Sequence, residues 1–396
     1  MASASGTAGV GGGRRVKIFH LFANHKFTGP ADLAMVMASS QQAAGAEVRF
    51  FSSTHPGAEN SVEQIARSRG LDTVTGLRLA KHLRWTSLPR DVSRLRRSIE
   101  AERPDFLHCH LDGDHLLACL ACGTKGPGVI RSSYQLDPPS GWRAAWTAAR
   151  TRLWLPPSNR AEARLLEQHP KLQGRTRITA PPVDLQRFAP TTDPGRSTDR
   201  DGPVVIGVVA RMQRHRRFPQ LIEAFAAAAA EDSRLQLEIL GRGTHQDEVA
   251  RIPAQQTGLG DRIRFAGYID PELYPQHLRR FDLLLFLVPG SDGTCRAARE
   301  ALACGVPVIA SRRGLLPDLI PEQCGLLLHN EAVETMTRAI LTLADAPLRR
   351  QEMAKNAREY AQKTFDAKTL GSDLIADLAD RSSGSRPDLA QNPSHR

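Results

Sequence analysis

The sequence has few cysteines and no long apolar run. Six cysteines among 396 residues are too few for a fold held together by disulfide bonds. The longest strongly apolar run, Leu283–Val288, is far shorter than the ~20 residues that a membrane-spanning helix requires. The first residues, MASASGTAGVGGGRR, lack the apolar stretch of a secretory signal peptide. These absences predict a cytoplasmic protein whose cysteines are reduced.

Acidic residues are scarce relative to basic ones, with 42 Asp and Glu against 53 Lys and Arg and a net charge of +11. This surplus favours a polyanionic partner, which is a nucleic acid, an anionic membrane surface or a phosphorylated substrate. No recognised nucleic-acid-binding module is present, so we expect no nucleic-acid partner. A hydrophobic content of 41% excludes a fully disordered chain and supplies material for buried cores.

Two series of short apolar strands alternate with helix-like stretches along the chain. The first series begins at VKIFHLF and the second at PVVIGVVA, and the turn-rich segment PTTDPGRSTDRDG separates them. Such alternation is typical of a parallel, doubly wound α/β sheet, and the separating segment is typical of a linker. We therefore predict a disordered tail at 1–14, a first Rossmann-like domain at 15–190, a linker at 191–202, a second Rossmann-like domain at 203–365 and a disordered tail at 381–396.

The densest chemical signal is the segment PGSDGTCRAAREALACGVPVIAS at positions 289–311. It combines a loop after a strand with the start of a helix, where unpaired N–H groups attract phosphate. Ligands of open α/β sheets bind at such strand ends. Asp292 and Glu300 are spaced to hold hydroxyls at two ends of one diphosphate ligand, although a helix cap and a solvated residue are the alternative. The loop residues expected to contact the ligand are Gly293, Thr294 and Cys295.

A second signal is the basic loop of VVARMQRHRRFPQLIEAF, at positions 208–225. Arg211 and Arg216 follow a predicted strand, and the guanidinium fork suits phosphate oxygens. A solvated basic loop is the alternative, because runs of charge usually face solvent.

The first domain contributes weaker signals. Gly29 follows the first strand and allows a backbone to approach a ligand closely, although an ordinary tight turn has the same pattern. His110 lies at the end of a strand, where it is placed to bond hydroxyls, and a buried structural histidine is the alternative. Nearby, Cys119 and Cys122 have C-x-x-C spacing, but they lie in an apolar helix-like run without a second such pair, so we predict no metal.

The segment at 77–98, LRLAKHLRWTSLPRDVSRLRRS, interleaves basic and apolar residues. This pattern fits either a helix lying on an anionic membrane or an ordinary amphipathic helix packed on the sheet.

The segment at 289–311 resembles the signature of the retaining GT-B glycosyltransferases of glycosyltransferase family 4. That signature reads Pro-Ser-x-x-Glu-Gly-x-Gly, then a helix with a second Glu, then Ala-x-Gly-x-Pro-Val-Ile-Ala. ALACGVPVIAS matches its last part, and the two acidic positions fall on Asp292 and Glu300. RPDFLHCH resembles the family's Pro-Asp-x-x-His-x-His, and GLLPDLIPEQCGLLL resembles a further family segment with Asp318 at its acidic position.

The resemblance implies roles for the donor-binding residues. Asp292 would contact the donor sugar, although it is one methylene shorter than the usual glutamate. Glu300 would hold the ribose of the nucleotide. Arg211 and Arg216 would bind the diphosphate, with Arg216 in place of a lysine and Arg217 in place of the following glycine.

The resemblance also implies roles outside the two donor loops. His110 would lie near the donor sugar, and Tyr268 belongs to the strand and loop that line the nucleobase. Gly29 occupies an acceptor or phosphate loop where the family has Gly-Gly and this chain has Pro30 next. The implied fold is GT-B, with two Rossmann-like domains facing a central cleft and a last helix, at 366–380, crossing back to the first domain.

The implied activity is retaining transfer of a sugar from a UDP- or GDP-linked donor to an acceptor hydroxyl, without a cofactor or metal. The acceptor is lipid-linked, a saccharide or a small molecule, in polysaccharide, lipopolysaccharide or glycolipid synthesis. The enzyme would be cytoplasmic or peripheral on the inner face of the membrane. A nucleotide-sugar epimerase and a non-catalytic relative stay open as alternatives, and the departures at Asp292, Arg217 and Pro30 favour the second.

Overall fold

The structure is a computed structural model, and it describes residues 14–53, 61–79, 86–123, 126–191, 202–289 and 293–383. These residues form two parallel six-stranded sheets with helices on both faces. Strands such as KIFHLF and VVIGVV read as nearly continuous apolar runs, because each sheet is covered on both sides. The prediction of two doubly wound parallel sheets is confirmed.

The first sheet has the strand order β3-β2-β1-β4-β5-β6. Its strands are β1 (Lys17–Phe22), β2 (Glu47–Ser52), β3 (Thr73–Val74), β4 (Phe106–Cys109), β5 (Gly128–Ser132) and β6 (Leu153–Leu155). The helices of this half are α1 (Gly29–Ala43), α2 (Val62–Ser68), α3 (Leu88–Glu102), α4 (Asp112–Cys122), α5 (Gly141–Arg150) and α6 (Asn159–Gln168).

The second sheet has the strand order β12-β11-β10-β7-β8-β9. Its strands are β7 (Val204–Val209), β8 (Leu235–Leu240), β9 (Ile263–Gly267), β10 (Leu283–Phe286), β11 (Val308–Ala310) and β12 (Gly325–Leu327). The remaining helices are α7 (Phe218–Glu231), α8 (Ile252–Gln256), α9 (Tyr274–Arg279), α10 (Arg296–Ala303), α11 (Leu316–Leu319), α12 (Val333–Ala344), α13 (Pro347–Phe365) and α14 (Ala367–Ser383).

Both sheets share one topology, since each reverses its strand order beside its first strand. The reversal lies between β1 and β4 in the first sheet and between β7 and β10 in the second. Loops that leave neighbouring strands in opposite directions at such a point open a crevice at the carboxyl edge of the sheet. The loops after these four strands are therefore where the fold places a ligand.

The last helix, α14, returns to the first half of the chain. Its Leu374 and Leu378 are buried in the core of the first sheet, and it packs along α1. Gly371 allows this close approach, because a Cβ there would lie 2.5 Å from Ser40 Oγ. The helix includes residues 381–383, which the sequence had suggested to be part of the polar tail.

Parts of the predicted organisation lie outside the described residues. These are nearly all of the N-terminal tail at 1–14, nearly all of the linker at 191–202 and the chain beyond position 383. Among the residues that are described, no helix has both the length and the apolar character needed to cross a membrane.

The contact at Gly371 makes a testable prediction. Ala is a better helix former than Gly by about 1 kcal/mol, yet Gly371→Ala should lower the free energy of unfolding by about 1–2 kcal/mol, because the new methyl group overlaps α1. Ser372→Ala, on the exposed side of the same helix, is the control and should be nearly neutral. Urea unfolding of both variants tests this, and a stabilised Gly371→Ala protein would contradict the packing.

Candidate functional site

The loop between β10 and α10 lies at the reversal point of the second sheet. Positions 290–292 of this loop, including Asp292, lie outside the described residues. The loop continues through Gly293 and the buried Thr294 to Cys295, which precedes α10. Cys295 has φ of 47° and stands where the family signature has its second glycine. A left-handed residue other than glycine costs about 1–3 kcal/mol, and such strain is concentrated at functional sites.

Gly293 brings this loop against the first domain. Its φ is 68°, and a Cβ on it would lie only 2.7 Å from the Cγ of Gln135. Gln135 belongs to the loop after β5, so loops from the two sheets meet here. Glycine is required at this position both by its backbone conformation and by the approach of the other domain.

The arginines of the basic loop after β7 differ in their contacts. Arg216 donates from Nη1 to the carbonyl oxygens of Val288 and Pro289, at 2.7 and 3.0 Å, and so lies at the end of β10. Arg211 is exposed, and within the described residues its side chain has no hydrogen bond or ion pair. The structure thus brings Arg216 to the loop that precedes α10 and leaves Arg211 facing solvent.

Arg217 adopts the conformation expected of the glycine that it replaces. Its φ is 58° and its ψ is 32°, and its Nε lies 2.8 Å from Glu331 Oε2. Arg313 contacts the same carboxylate. The substitution therefore keeps the turn before α7, and the ion pair holds the side chain away from it.

Glu300 is buried in α10 with an exposure of 3%. Its Oε1 accepts a hydrogen bond of 2.7 Å from Arg296 Nε. Its Oε2 is buried and has no hydrogen-bond partner among the described residues. A buried polar atom without a partner is rare in folded proteins and requires an explanation. The alternative that Glu300 is a solvated helix residue is wrong.

A tyrosine that sequence reasoning missed lies beside this carboxylate. Burial and the neighbouring Glu300 raise the pKa of Tyr274 well above its ordinary value. The phenol lies beside the carboxylate, but no hydrogen bond of ordinary geometry joins it to Glu300 Oε2. No motif marks Tyr274, because it reaches the site through the packing of α9 on α10.

A chain of ion pairs connects Glu300 to the first domain. Arg296 Nε lies 3.4 Å from Asp32 Oδ2, and Asp32 Oδ1 accepts from Arg69 at 2.6 Å. Burial works to raise the pKa of Asp32, but the charges of Arg296 and Arg69 outweigh it and hold that pKa below its ordinary value. The alternating charges of Arg69, Asp32, Arg296 and Glu300 thus link α1 of the first domain to α10 of the second.

His110 lies at the reversal point of the first sheet, but it does not face an open cleft. It is 1% exposed, and both of its ring nitrogens have partners. Nε2 lies 3.0 Å from His20 Nδ1, and Nδ1 lies 2.6 Å from the hydroxyl of Tyr134. Its contact with a donor sugar stays a prediction, and Tyr134 now stands between His110 and the loop at Gln135.

The hydrogen bonds of this cluster assign the tautomers. The amide oxygen of Gln41 accepts from His20 Nε2 at 2.8 Å, so the neutral His20 carries its proton on Nε2 and accepts at Nδ1. His110 Nε2 must then donate to His20, and the Tyr134 hydroxyl must donate to His110 Nδ1. Burial lowers the pKa of His20 to about 4 and that of His110 well below its ordinary value, which keeps both rings neutral.

The same cluster has the spacing of a cation site. Ligand atoms of His20, His108 and His110 lie within 4.8 Å of one another. However, His108 also bonds at both nitrogens, to Ser132 at 2.8 Å and to Gln41 at 3.5 Å. Every ring nitrogen of the three histidines is thus occupied by a protein partner, so the geometry supports a hydrogen-bond chain. That the protein needs no metal stays a prediction.

The remaining predicted residues occupy the edges of the site. Tyr268 follows β9 and is 64% exposed, and the guanidinium of Arg242 lies 5.9 Å from its ring centre. Gly29 is the first residue of α1, and Pro30 occupies the first turn, where a missing N–H is tolerated. Neither residue contacts the loop at Gly293 among the contacts described, and their roles stay predictions.

Two protein-family models match this chain, one over each half. The model described as "Glycosyl transferases group 1" matches residues 191–360, and that described as "Glycosyltransferase Family 4" matches residues 29–187. The chain belongs to glycosyltransferase family 4. The resemblance in the sequence is therefore confirmed.

Curated relatives match this chain over only part of their own length. A GDP-mannose-dependent monoacylated alpha-(1-6)-phosphatidylinositol monomannoside mannosyltransferase of Corynebacterium glutamicum is 26% identical over 206 residues, which are 48% of this chain and 53% of the relative. A D-inositol 3-phosphate glycosyltransferase of Geodermatophilus obscurus is 31% identical over 214 residues, which are 50% of this chain and 46% of the relative. The chain thus spans about half the length of the curated relatives that it matches.

Solved structures agree in fold over nearly the whole chain. HepE of Anabaena in complex with UDP has a TM-score of 0.76 at 16% identity and covers 92% of this chain and 100% of its own. Sucrose-phosphate synthase of Thermosynechococcus elongatus has a TM-score of 0.69 at 21% identity and covers 93% of this chain and 99% of its own. These likenesses confirm the predicted GT-B fold.

The ion-pair chain yields a prediction about stability. Asp32→Asn removes the carboxylate between Arg69 and Arg296, and we expect it to lower the free energy of unfolding by about 2 kcal/mol, because the partly buried Arg69 loses its counter-ion and Arg296 keeps only Glu300. The matched control is Asp247→Asn, since Asp247 also pairs with an arginine, Arg251, but both side chains are exposed, at 76% and 50%. That variant should lose less than about 1 kcal/mol. Equal losses in denaturant unfolding would contradict the importance of the buried chain.

The histidine cluster yields a prediction about pH. The pKa of His20 is lowered from 6.5 to about 4 on folding, so the unfolded chain binds the proton more tightly. The free energy of unfolding is therefore fully supported by neutral His20 above pH 6.5. It should fall by about 3 kcal/mol as the pH drops from 6.5 towards 4. Urea unfolding across this range measures it. His20→Asn should reduce the pH slope, whereas His215→Asn, at an exposed site, should leave it unchanged.

Proposed function

We propose that this protein transfers a sugar from a nucleotide diphosphate sugar to an acceptor hydroxyl, with retention of configuration at the anomeric carbon. The observation that carries the proposal is Glu300. Its carboxylate is almost wholly buried, yet its Oε2 has no hydrogen-bond partner among the described residues. Leaving such an atom without a donor is costly, and a ribose hydroxyl of the nucleotide supplies the donor.

The diphosphate of the donor binds at the loop before α10. The N–H groups at the start of this helix carry partial positive charge, Arg216 is held beside the end of β10, and Arg211 has a guanidinium free to swing in. These groups stabilise the negative charge that grows on the departing diphosphate, which is usually the largest catalytic contribution in such a site. Because arginines supply this charge, the reaction proceeds without a metal ion.

The sugar lies between the two domains, near Gly293 and the loop after β5. Asp292 orients it, as the resemblance implies. His110 acts through Tyr134, whose hydroxyl it holds by a hydrogen bond of 2.6 Å. The leaving phosphate assists deprotonation of the acceptor hydroxyl on the same face of the sugar, so no protein nucleophile is required.

The named relatives support the substrate classes. Their names specify a GDP-mannose donor with a phosphatidylinositol mannoside acceptor, and D-inositol 3-phosphate. We propose a UDP- or GDP-linked donor and an acceptor that is lipid-linked, a saccharide or a phosphorylated small molecule, in the synthesis of an envelope polysaccharide or glycolipid. The enzyme would work in the cytoplasm, at the membrane surface when its acceptor is lipid-linked.

Calorimetric titration with UDP, GDP and ADP tests the donor site. We expect one nucleotide to bind, and Glu300→Gln to weaken that binding about tenfold to a hundredfold, the effect of losing a hydrogen bond to a charged group. The control Glu223→Gln changes an exposed carboxylate on α7 and should bind normally. Deoxyribose forms of the same nucleotide should lose affinity in the unmodified protein but little further in Glu300→Gln.

Release of the nucleotide from its sugar in the presence of acceptor then tests the activity. Turnover should persist in a metal chelator and should fall in Arg211→Ala while the fold is retained. Failure of all three nucleotides to bind would overturn the donor site. Nucleotide binding without any sugar transfer would instead favour the non-catalytic relative.

A further inference from the structure

Helices α3, α4 and α5 lie side by side over one face of the first sheet. Leu95 of α3 and Leu117 of α4 are buried in the same core, and the half-buried Trp146 of α5 packs against its edge. Arg96 of α3 reaches across to the carbonyl oxygen of Leu120, at 2.9 Å. The outer sides of these helices therefore form one continuous surface of the first domain.

An apolar stripe follows the outer side of α5. The buried residues of the helix are Ala144, Thr147 and Ala148. The stripe, at helical spacings of three and four residues, consists of Trp142, Ala145, Trp146 and Ala149. Trp142 is 72% exposed and Trp146 is half-buried. Trp142 and Ala145 are thus the exposed part of the stripe, while Trp146 contacts the core with part of its ring.

Arginines border this stripe. The guanidinium of Arg143 lies 5.3 Å from the ring centre of Trp142, and that of Arg150 lies 3.9 Å from the ring centre of Trp146. α5 contains no acidic residue. On the outer side of α3, Arg90 and Arg97 are exposed, and neither has a carboxylate partner within the part of the chain that the structure describes.

Indole rings flanked by guanidinium groups match the chemistry of a lipid headgroup layer. The indole is apolar with one polar edge and is favoured at the depth where acyl chains meet headgroups, while arginine extends its charge to the phosphates. A soluble polyanion would satisfy the arginines but not the exposed indole. The combination therefore selects a membrane surface with anionic phospholipids.

The stripe also lies close to the proposed site. α5 begins directly after the loop that carries Tyr134 and Gln135, and Gln135 touches the donor loop at Gly293. A bilayer bound along α5 would thus meet the rim of the cleft, where a lipid-linked acceptor must enter.

We propose that the outer face of α5, with the arginines of α3 on the far side of α4, docks the protein on the surface of an anionic phospholipid bilayer. Trp142 is the apolar anchor, and Arg143, Arg150, Arg90 and Arg97 bind headgroup phosphates. This inference extends the proposed function, because it states how the enzyme would reach a lipid-linked acceptor. It moves the predicted membrane contact from the segment at 77–98 to α5, with α3 contributing charge.

Cosedimentation with vesicles tests the proposal without reference to activity. The unmodified protein should bind vesicles of phosphatidylcholine with phosphatidylglycerol and should bind phosphatidylcholine alone weakly. Trp142→Ala with Arg143→Ser should reduce partitioning at least fivefold, roughly the effect of one arginine near an anionic surface. The matched control is Leu348→Ala with Arg349→Ser on α13, where Leu348 is 74% exposed, and it should bind like the unmodified protein.

Three outcomes would overturn the proposal. They are absence of binding to anionic vesicles, an equal loss in the α13 control, and a lipid-free dimer that dissociates in the α5 variant, which would assign the stripe to a second copy of the chain. Quenching of tryptophan fluorescence by brominated lipids should be largely lost in Trp142→Phe. Nucleotide titration of the same variants keeps the two proposals apart, since vesicle binding without nucleotide binding would refute the donor site and leave the docking surface intact.

Discussion

A carboxylate buried at the boundary between two domains constrains the packing around it. Glu300 is tolerated there because Arg296 meets one of its oxygens, and Arg296 in turn lies between Glu300 and Asp32 of the other domain. An ion removed from water without a counter-ion is strongly destabilising. α10 and the first domain therefore do not pack independently of each other. The cleft is organised around paired charges, and Oε2 of Glu300 has no hydrogen-bond partner among the described residues.

Much of the fold and part of the site follow from short stretches of sequence. The alternation of strands and helices predicts both sheets, because helices cover each sheet on both faces and keep its strands continuously apolar. The positions of Arg216 and Glu300 are predicted in the same way, since Arg216 follows β7, Glu300 lies in the helix that follows β10, and both strands lie at the reversal point. Local spacing is sufficient where one strand and the following helix determine the position of a side chain.

Other features of the site depend on contacts between distant segments, which no local pattern encodes. Asp32 acquires its importance from Arg296, and Tyr274 acquires its place from the packing of α9 on α10. His110 is recognisable as a histidine at a strand end, but its burial and its partner Tyr134 are not. At Arg217 and Cys295 the sequence shows residues where glycine is usual, and the structure shows the same left-handed backbone, sustained at Arg217 by an ion pair with Glu331.

The hydrogen-bond chain through the histidines has a direction, and Gln41 sets it. The amide oxygen of Gln41 faces His20. Each hydrogen bond of the chain is therefore donated in the same direction, from Tyr134 to His110, from His110 to His20 and from His20 to Gln41. A half-turn of that amide would present the NH₂ group to His20 and the oxygen to His108, so that all three rings would have to change tautomer. The Tyr134 hydroxyl would then accept from His110 and direct its own O–H elsewhere. The orientation of one buried amide is therefore tied to the direction in which a hydroxyl three residue contacts away donates its hydrogen bond.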